Sequence, residues 1–203
     1  EMDPEEAKRN KLCMPDAKAA KEAEQYLDEK MRECDSVGGI VECRITHLPT
    51  GLGEPVFDKL DAELAKAILS IGAVKGFEIG DGFAAARSCG SENNDAFRME
   101  TDGKPVKVTN HSGGVLGGIS DGSDVVFRAA FKPTPSISRR QETVSRSGEN
   151  MELKIHGRHD PVVVPRAVVV VEAMAAITIM DMLLLSMTSR MDRIRDFFAS
   201  EDR

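Results

Sequence analysis

Aromatic side chains are scarce in this sequence: no tryptophan, one tyrosine and eight phenylalanines in 203 residues. A platform that stacks successive bases of a nucleic-acid strand needs more flat rings than that. Basic charge is also in deficit. Lys and Arg number 27 against 34 Asp and Glu, a formal net charge of −7. Duplex binding rests on phosphate neutralisation, so this balance argues against that role. Cysteine is limited to Cys13, Cys34, Cys43 and Cys89, without CxxC or other metal-ligand spacing, so free thiols in a reducing compartment are expected. The longest apolar stretch is interrupted by Arg166, Glu172 and Asp181 and does not read as a membrane span. No GxGxxG, P-loop, EF-hand, zinc motif or Ser/His/Asp triad stands out.

What is present is a globular composition, 41% hydrophobic and 30% charged, in a chain long enough to bury a core without disulfide or metal staples. The opening from Glu1 shows no secretory pattern and reads as mid-protein sequence; a fragment is expected. Charge is uneven. Residues 1–35 hold seven basic and eleven acidic groups, net −4, whereas 132–166 hold seven basic and four acidic, net +3. A basic segment in an acidic chain suits a small anionic ligand, or simply solvated loop charges.

Periodicity gives the elements. Ala20, Ala23, Leu27, Met31 and Cys34 form an apolar stripe over 16–35, with Asp16 as cap. "VECRITH" alternates, with Val41, Cys43 and Ile45 on one face. Phe57, Leu60, Leu64, Ala67, Ile68 and Ile71 recur at helical spacing, and 73–79 reads as a strand. Residues 80–122 are a Gly/Asn/Asp-rich loop region with short strands near 106–109. Val125, Phe127, Ala129 and Phe131 alternate, as do Met151, Leu153 and Ile155. Residues 161–187 read as a helix apolar nearly all round, which predicts burial between layers. Alternating strands interspersed with helices point to a single α+β domain over 1–203, a layered sandwich of mainly antiparallel sheet rather than a doubly wound parallel one.

Three stretches could carry chemistry. The paired glycines of "HSGGVLGGISDG" (111–122) serve either tight turns or close backbone approach to an anion. In "FKPTPSISRR" (131–140), Lys132 and the hydroxyls of Thr134, Ser136 and Ser138 on a proline-fixed loop form a phosphate grip or an exposed strand end. In "GRHDP" (157–161), Arg158 can hold an anion, and Asp160 is either a helix cap ahead of Pro161 or a reactive group at a buried junction.

Taken together, "LPTGLGEPVFDKLDAELAKAILSIGAVKGFEIGDGF", "GSENND", "NHSGGVLGGISDG", "AFKPTPSI" and "GRHDPVVVPRAVVVVEAMAA", in that order, closely resemble the C-terminal half of chorismate synthase. The resemblance runs from about Ser36 onward. It implies a β-α-β sandwich, usually a cytoplasmic homotetramer (plastidial in a plant or alga), with no nucleic-acid or membrane partner. It implies a carbon–oxygen lyase of the shikimate pathway, making chorismate for aromatic amino-acid biosynthesis. The reaction is a 1,4-elimination of phosphate and a ring hydrogen from 5-enolpyruvylshikimate 3-phosphate. Reduced FMN is required without net redox change, and NADPH is a candidate reductant of the flavin. By the same resemblance the flavin contacts are Gly72, Ala73, Gly117, Lys132, Pro133, Thr134, Pro135, Ser136 and Arg158, and Asp160 and Arg158 are the catalytic positions. Gly72 stands where the family often has Asn, and Val162 where Cys is common. The family's catalytic histidines belong to its N-terminal half; His47, His111, His156 and His159 do not match them. A non-catalytic flavin- or phosphate-binding fragment, or an oligomerisation fragment, is the alternative.

Overall fold

A computed structural model describes residues 3–101, 103, 105–157 and 160–199. Along the chain the elements are α1 (Pro4–Ala7), α2 (Ala17–Arg32), β1 (Gly39–Ile45), α3 (Leu60–Leu69), β2 (Val74–Ile79), a 3-10 turn (Gly82–Arg87), α4 (Gly90–Asn93), β3 (Phe97–Met99), β4 (Pro105–Lys107), β5 (Val115–Leu116), β6 (Ile119–Ser120), β7 (Val125–Phe131), β8 (Arg140–Val144), β9 (Asn150–Lys154), α5 (Val164–Met187) and α6 (Met191–Ala199). The fold is α+β, as the alternation of patterns predicts. β7 is the central strand of a three-stranded sheet ordered β1-β7-β2, and β3-β4, β5-β6 and β8-β9 form two-stranded sheets that are antiparallel. The chain divides into two compact units, Glu1–Val41 with Ala130–Val169, and Glu42–Ala129 with Val170–Arg203.

In the first unit, Asp16 caps α2 as expected: its Oδ1 accepts from the Ala19 amide at 2.9 Å. That bond also lowers the Asp16 carboxyl pKa. Ala20 and Leu27 are buried, whereas Met31 is exposed and Cys34 lies past the helix end with φ +56°. Met31 lies within α2 but faces solvent, and Cys34 falls beyond the stripe because the chain turns out of the helix at Glu33. The β8-β9 hairpin places Gln141 opposite Leu153 and Thr143 opposite Met151. Met151 and Leu153 share a face, as the alternation predicts, but both are exposed.

In the second unit, Leu60, Leu64 and Ile68 are completely buried on one face of α3, and Val125, Phe127 and Ala129 are completely buried on β7. Phe77 stacks on Phe127 with ring centroids 5.3 Å apart. Phe57 carries φ +59° and is exposed ahead of α3 rather than part of it. The largest departure is α5. It packs Val171, Ala175, Ile179 and Met182 inward, but Val170, Ile177, Met180 and Leu184 face out. By length and composition it is long and apolar enough to cross a membrane, and 28% of that stretch is buried. The all-round burial expected from its composition is not met: among the described residues no layer covers the second face.

Candidate functional site

The first unit assembles one group of the predicted residues. Lys132–Ser136 leave the end of β7 as a Pro-Thr-Pro loop. Pro133 and Pro135 have no N–H to give, so the loop cannot zip onto a neighbouring strand. Its carbonyls are held from outside instead. Ser36 Oγ donates to the Thr134 carbonyl at 2.7 Å, and Gln141 Nε2 donates to the Pro135 carbonyl at 2.9 Å. Within the loop, the Ile137 amide donates to the Pro135 carbonyl at 3.0 Å. The hydroxyls of Thr134 and Ser136 have no partner among the described residues, and exposed Lys132 forms no ion pair among them. These are donors held on a fixed backbone and left open, the arrangement an anionic phosphate needs.

Asp160 belongs to the same unit. It does not cap α5, which corrects one of its two sequence readings. The first helical amides, Arg166 and Ala167, bond to the Val163 carbonyl, so the helix starts three residues too late, and Pro165 rather than Pro161 sits in its first turn. Asp160 Oδ2 instead pairs with Arg166 Nη1 at 2.6 Å, and both side chains are solvent-accessible. Arg158, expected beside it, lies outside the described residues, as does His159.

The segment Asp35–Gly39 joins the loop to the Asp160 junction. The Val37 amide donates to the Pro161 carbonyl at 2.8 Å, and Val37 pairs with Val162 in a parallel bridge. One residue earlier, Ser36 holds Thr134. Asp35 Oδ2 accepts from Arg139 Nη1 at 2.6 Å. The Ser36 amide, then Arg139, lowers the Asp35 carboxyl pKa against the opposing effect of burial. The basic bias of 132–166 is thus partly spent internally: Arg139, Arg140 and Arg166 all hold carboxylates.

The second unit carries Gly72, Ala73 and Gly117. Ala73 has φ +74°, a left-handed conformation that costs a non-glycine residue about 1–2 kcal/mol. Gly117 and Gly118, at φ +60° and +87°, form the two-residue turn between β5 and β6. Nothing lies within 4 Å of where a side chain on Gly72 or Gly117 would begin. Both backbones are open to close approach by a flat ligand, whereas Gly118 is packed against Lys59 and Glu54. The turn reading therefore holds for Gly117 and Gly118, whereas Gly113 and Gly114 pack closely against Gly80 and Asp124.

The sequence reading missed a buried ionic cluster under that loop. The Lys107 side chain is 2% exposed, and its Nζ lies 3.2 Å from Asp95 Oδ2, 2.7 Å from Asp121 Oδ2 and 2.6 Å from Ser112 Oγ. The Asp121 approach is off the hydrogen-bond direction and is a charge pair. Asp95, with 4% of its side chain exposed, also accepts from Thr109 Oγ1 (2.8 Å) and the amides of His111 (2.8 Å) and Ser112 (3.0 Å). Burial alone would raise the Asp95 carboxyl; the two amides and the Thr109 hydroxyl outweigh it and hold the group well below the usual carboxylate range. Burial likewise opposes, and Lys107 overcomes, in lowering Asp121. His111 Nδ1 lies 2.7 Å from Asp81 Oδ2. The signal that could have exposed this cluster was a lysine flanked by Val106 and Val108 in a short strand. Among the described residues no group of three or more His, Cys, Asp or Glu could hold a metal ion.

Comparison with known proteins gives one answer. The family model described as chorismate synthase matches residues 2–184. The chorismate synthase of Lachnoclostridium phytofermentans is 62% identical over 187 residues, 92% of this chain and 51% of its own length. That of Agathobacter rectalis is 64% identical over 196 residues, 97% of this chain and 53% of its own. A crystal structure of chorismate synthase superposes with a TM-score of 0.76 at 32% identity, covering 97% of this chain and 52% of that one. The chain spans about half the length of the relatives it matches.

Proposed function

The chain belongs to the chorismate synthase family, and from that premise we propose that it forms the flavin-side half of an enzyme converting 5-enolpyruvylshikimate 3-phosphate to chorismate. The observation that carries the reading is the Lys132–Ser136 loop: its carbonyls are pinned by Ser36 and Gln141 while the donors of Lys132, Thr134 and Ser136 stay open among the described residues. Those donors fit a phosphate tail, and the open backbones at Gly72 and Gly117 fit a flat ring.

In this reading Lys132 neutralises phosphate charge, and the Thr134 and Ser136 hydroxyls fix its oxygens. Gly72, Ala73 and Gly117 offer backbone to the ring, and Arg158 adds a charged fork. Asp160 Oδ2, oriented by Arg166, handles the proton as the substrate ring loses phosphate and hydrogen. Reduced FMN, when bound, supplies the transient electron density that lets phosphate leave without net redox change. NADPH is the proposed source of reduction. The working enzyme is a homotetramer of the cytoplasm, or of the plastid stroma in a plant or alga, with the histidine-bearing half completing the substrate site. The exposed face of α5, interrupted by Glu172 and Asp181, suits a protein layer from that half better than lipid.

A second reading, a fragment that binds flavin or assembles without catalysis, is favoured by the half-length coverage. One set of measurements separates the two. The full-length protein with photoreduced FMN under anaerobic conditions should release phosphate and form chorismate. Asp160→Ala should lower turnover about 100-fold or more while FMN affinity changes less than about threefold. Unaltered turnover in Asp160→Ala removes the role given to it. FMN binding by the 203-residue chain without turnover in the full-length protein supports the fragment reading.

A further inference from the structure

The Pro-Thr-Pro loop and the Asp160 junction are far apart in sequence, and neither reaches the other through its own hydrogen bonds among the described residues. Both are tied to consecutive residues of one short segment. Ser36 Oγ holds the Thr134 carbonyl at 2.7 Å, and the next amide, Val37, holds the Pro161 carbonyl at 2.8 Å. The segment is itself fixed at both ends. Asp35 is locked to Arg139 at 2.6 Å. At the other end, any side chain on Gly38 would collide with the Phe131 carbonyl oxygen, and one on Gly39 would crowd Val164 at 2.8 Å. Only glycine at both positions lets the segment pass this close to Phe131 and Val164.

We propose that Asp35–Gly39 is a positioning strap that sets the spacing between the Lys132–Ser136 loop and Asp160, with Ser36 as its positioning residue. A loop bracketed by Pro133 and Pro135 has few hydrogen bonds of its own, so its placement is decided by its anchors. Removing the Ser36 hydroxyl leaves the Thr134 carbonyl without its outside donor and uncouples the two segments. This inference rests on the flavin-site reading for its catalytic consequence, but not for the coupling itself.

The experiment uses the full-length protein as wild type, Ser36→Ala and Ser36→Thr. Amide hydrogen exchange reports the coupling. In Ser36→Ala, exchange at Val37 and Ile137 should quicken about tenfold or more, while amides in α3 keep wild-type rates. Ser36→Thr, which retains the hydroxyl, should restore protection. Turnover with photoreduced FMN and 5-enolpyruvylshikimate 3-phosphate should fall about 10- to 100-fold in Ser36→Ala with KM changed less than about threefold, as expected for misplacement rather than lost binding. Exchange unchanged at Val37 and Ile137 overturns the strap. Altered exchange with wild-type turnover and FMN affinity overturns its positioning role. Altered exchange in a protein whose wild type neither binds FMN nor forms chorismate upholds the coupling and overturns the flavin-site reading instead.

Discussion

Replacing Asp95 by asparagine changes the shape of the side chain very little and its chemistry a great deal. The carboxylate sits 4% exposed beneath the glycine-rich loop. Its Oδ1 accepts from Thr109 Oγ1 and the His111 amide, and its Oδ2 from the Ser112 amide and Lys107 Nζ. Asparagine can keep the first two bonds through its oxygen. Its amino group then faces two donors, the Ser112 amide and the Lys107 ammonium. Lys107, 2% exposed, is left with Asp121 as its one buried countercharge among the described residues. Losing one neutral and one charged hydrogen bond, with a buried cation half-compensated, costs about 3–5 kcal/mol. At about 2–4 °C per kcal/mol for a chain of this size, the melting temperature should fall by roughly 6–20 °C. The pH dependence gives a sharper test. Because the folded carboxyl lies below its ordinary value, its contribution is fully present above the unfolded pKa of about 4 and is lost as pH falls toward the folded value. Urea unfolding of wild type and Asp95→Asn should therefore differ by the full amount at pH 7, with the gap narrowing below about pH 4. A gap under about 1 kcal/mol at pH 7, or one unchanged down to pH 3, refutes the reasoning.

Burial, then Glu172, pushes the Cys43 thiol up to about 11, whereas Cys34 and Cys89 are exposed. A maleimide at pH 7 should label the latter two readily and Cys43 about two orders of magnitude more slowly until the protein is unfolded; even labelling of all three contradicts this. Gly38→Ala should destabilise by about 1–3 kcal/mol through its collision with the Phe131 carbonyl, read as a lower urea midpoint, and an unchanged midpoint would show that the strap yields. Paired substitution of Ile177 and Met180 by lysine should change the stability of the 203-residue chain by no more than about 0.5 kcal/mol, read from urea unfolding, since both side chains are exposed. Loss of several kcal/mol would mean that this face is packed within the chain.

Where the sequence was legible, local pattern and burial agreed. β7 buries Val125, Phe127, Ala129 and Phe131, as a central strand with alternating faces must. Leu60, Leu64 and Ile68 mark the inner face of α3 for the same reason. Asp16 caps α2 because a short polar side chain ahead of a helix has unpaired amides within reach. Phe57 was misread because one more apolar residue at helical spacing is indistinguishable from a helix start until the backbone turns, here at φ +59°.

Local sequence pattern was enough for the types of α2, β1, α3, β2, β7, β9 and α5, for the loop that carries Lys132–Ser136 and, through its ordered motifs, for the family. Those features depend on neighbours along the chain, and periodicity and turn chemistry record neighbours. Only the tertiary structure decided that Asp160 pairs with Arg166 rather than capping a helix. Only it placed Ser36 and Val37 between the loop and that junction, and buried Lys107 with Asp95 and Asp121. Those partners meet across long separations in the chain or through a shift in where a helix begins, and burial then decides which polar groups must find each other.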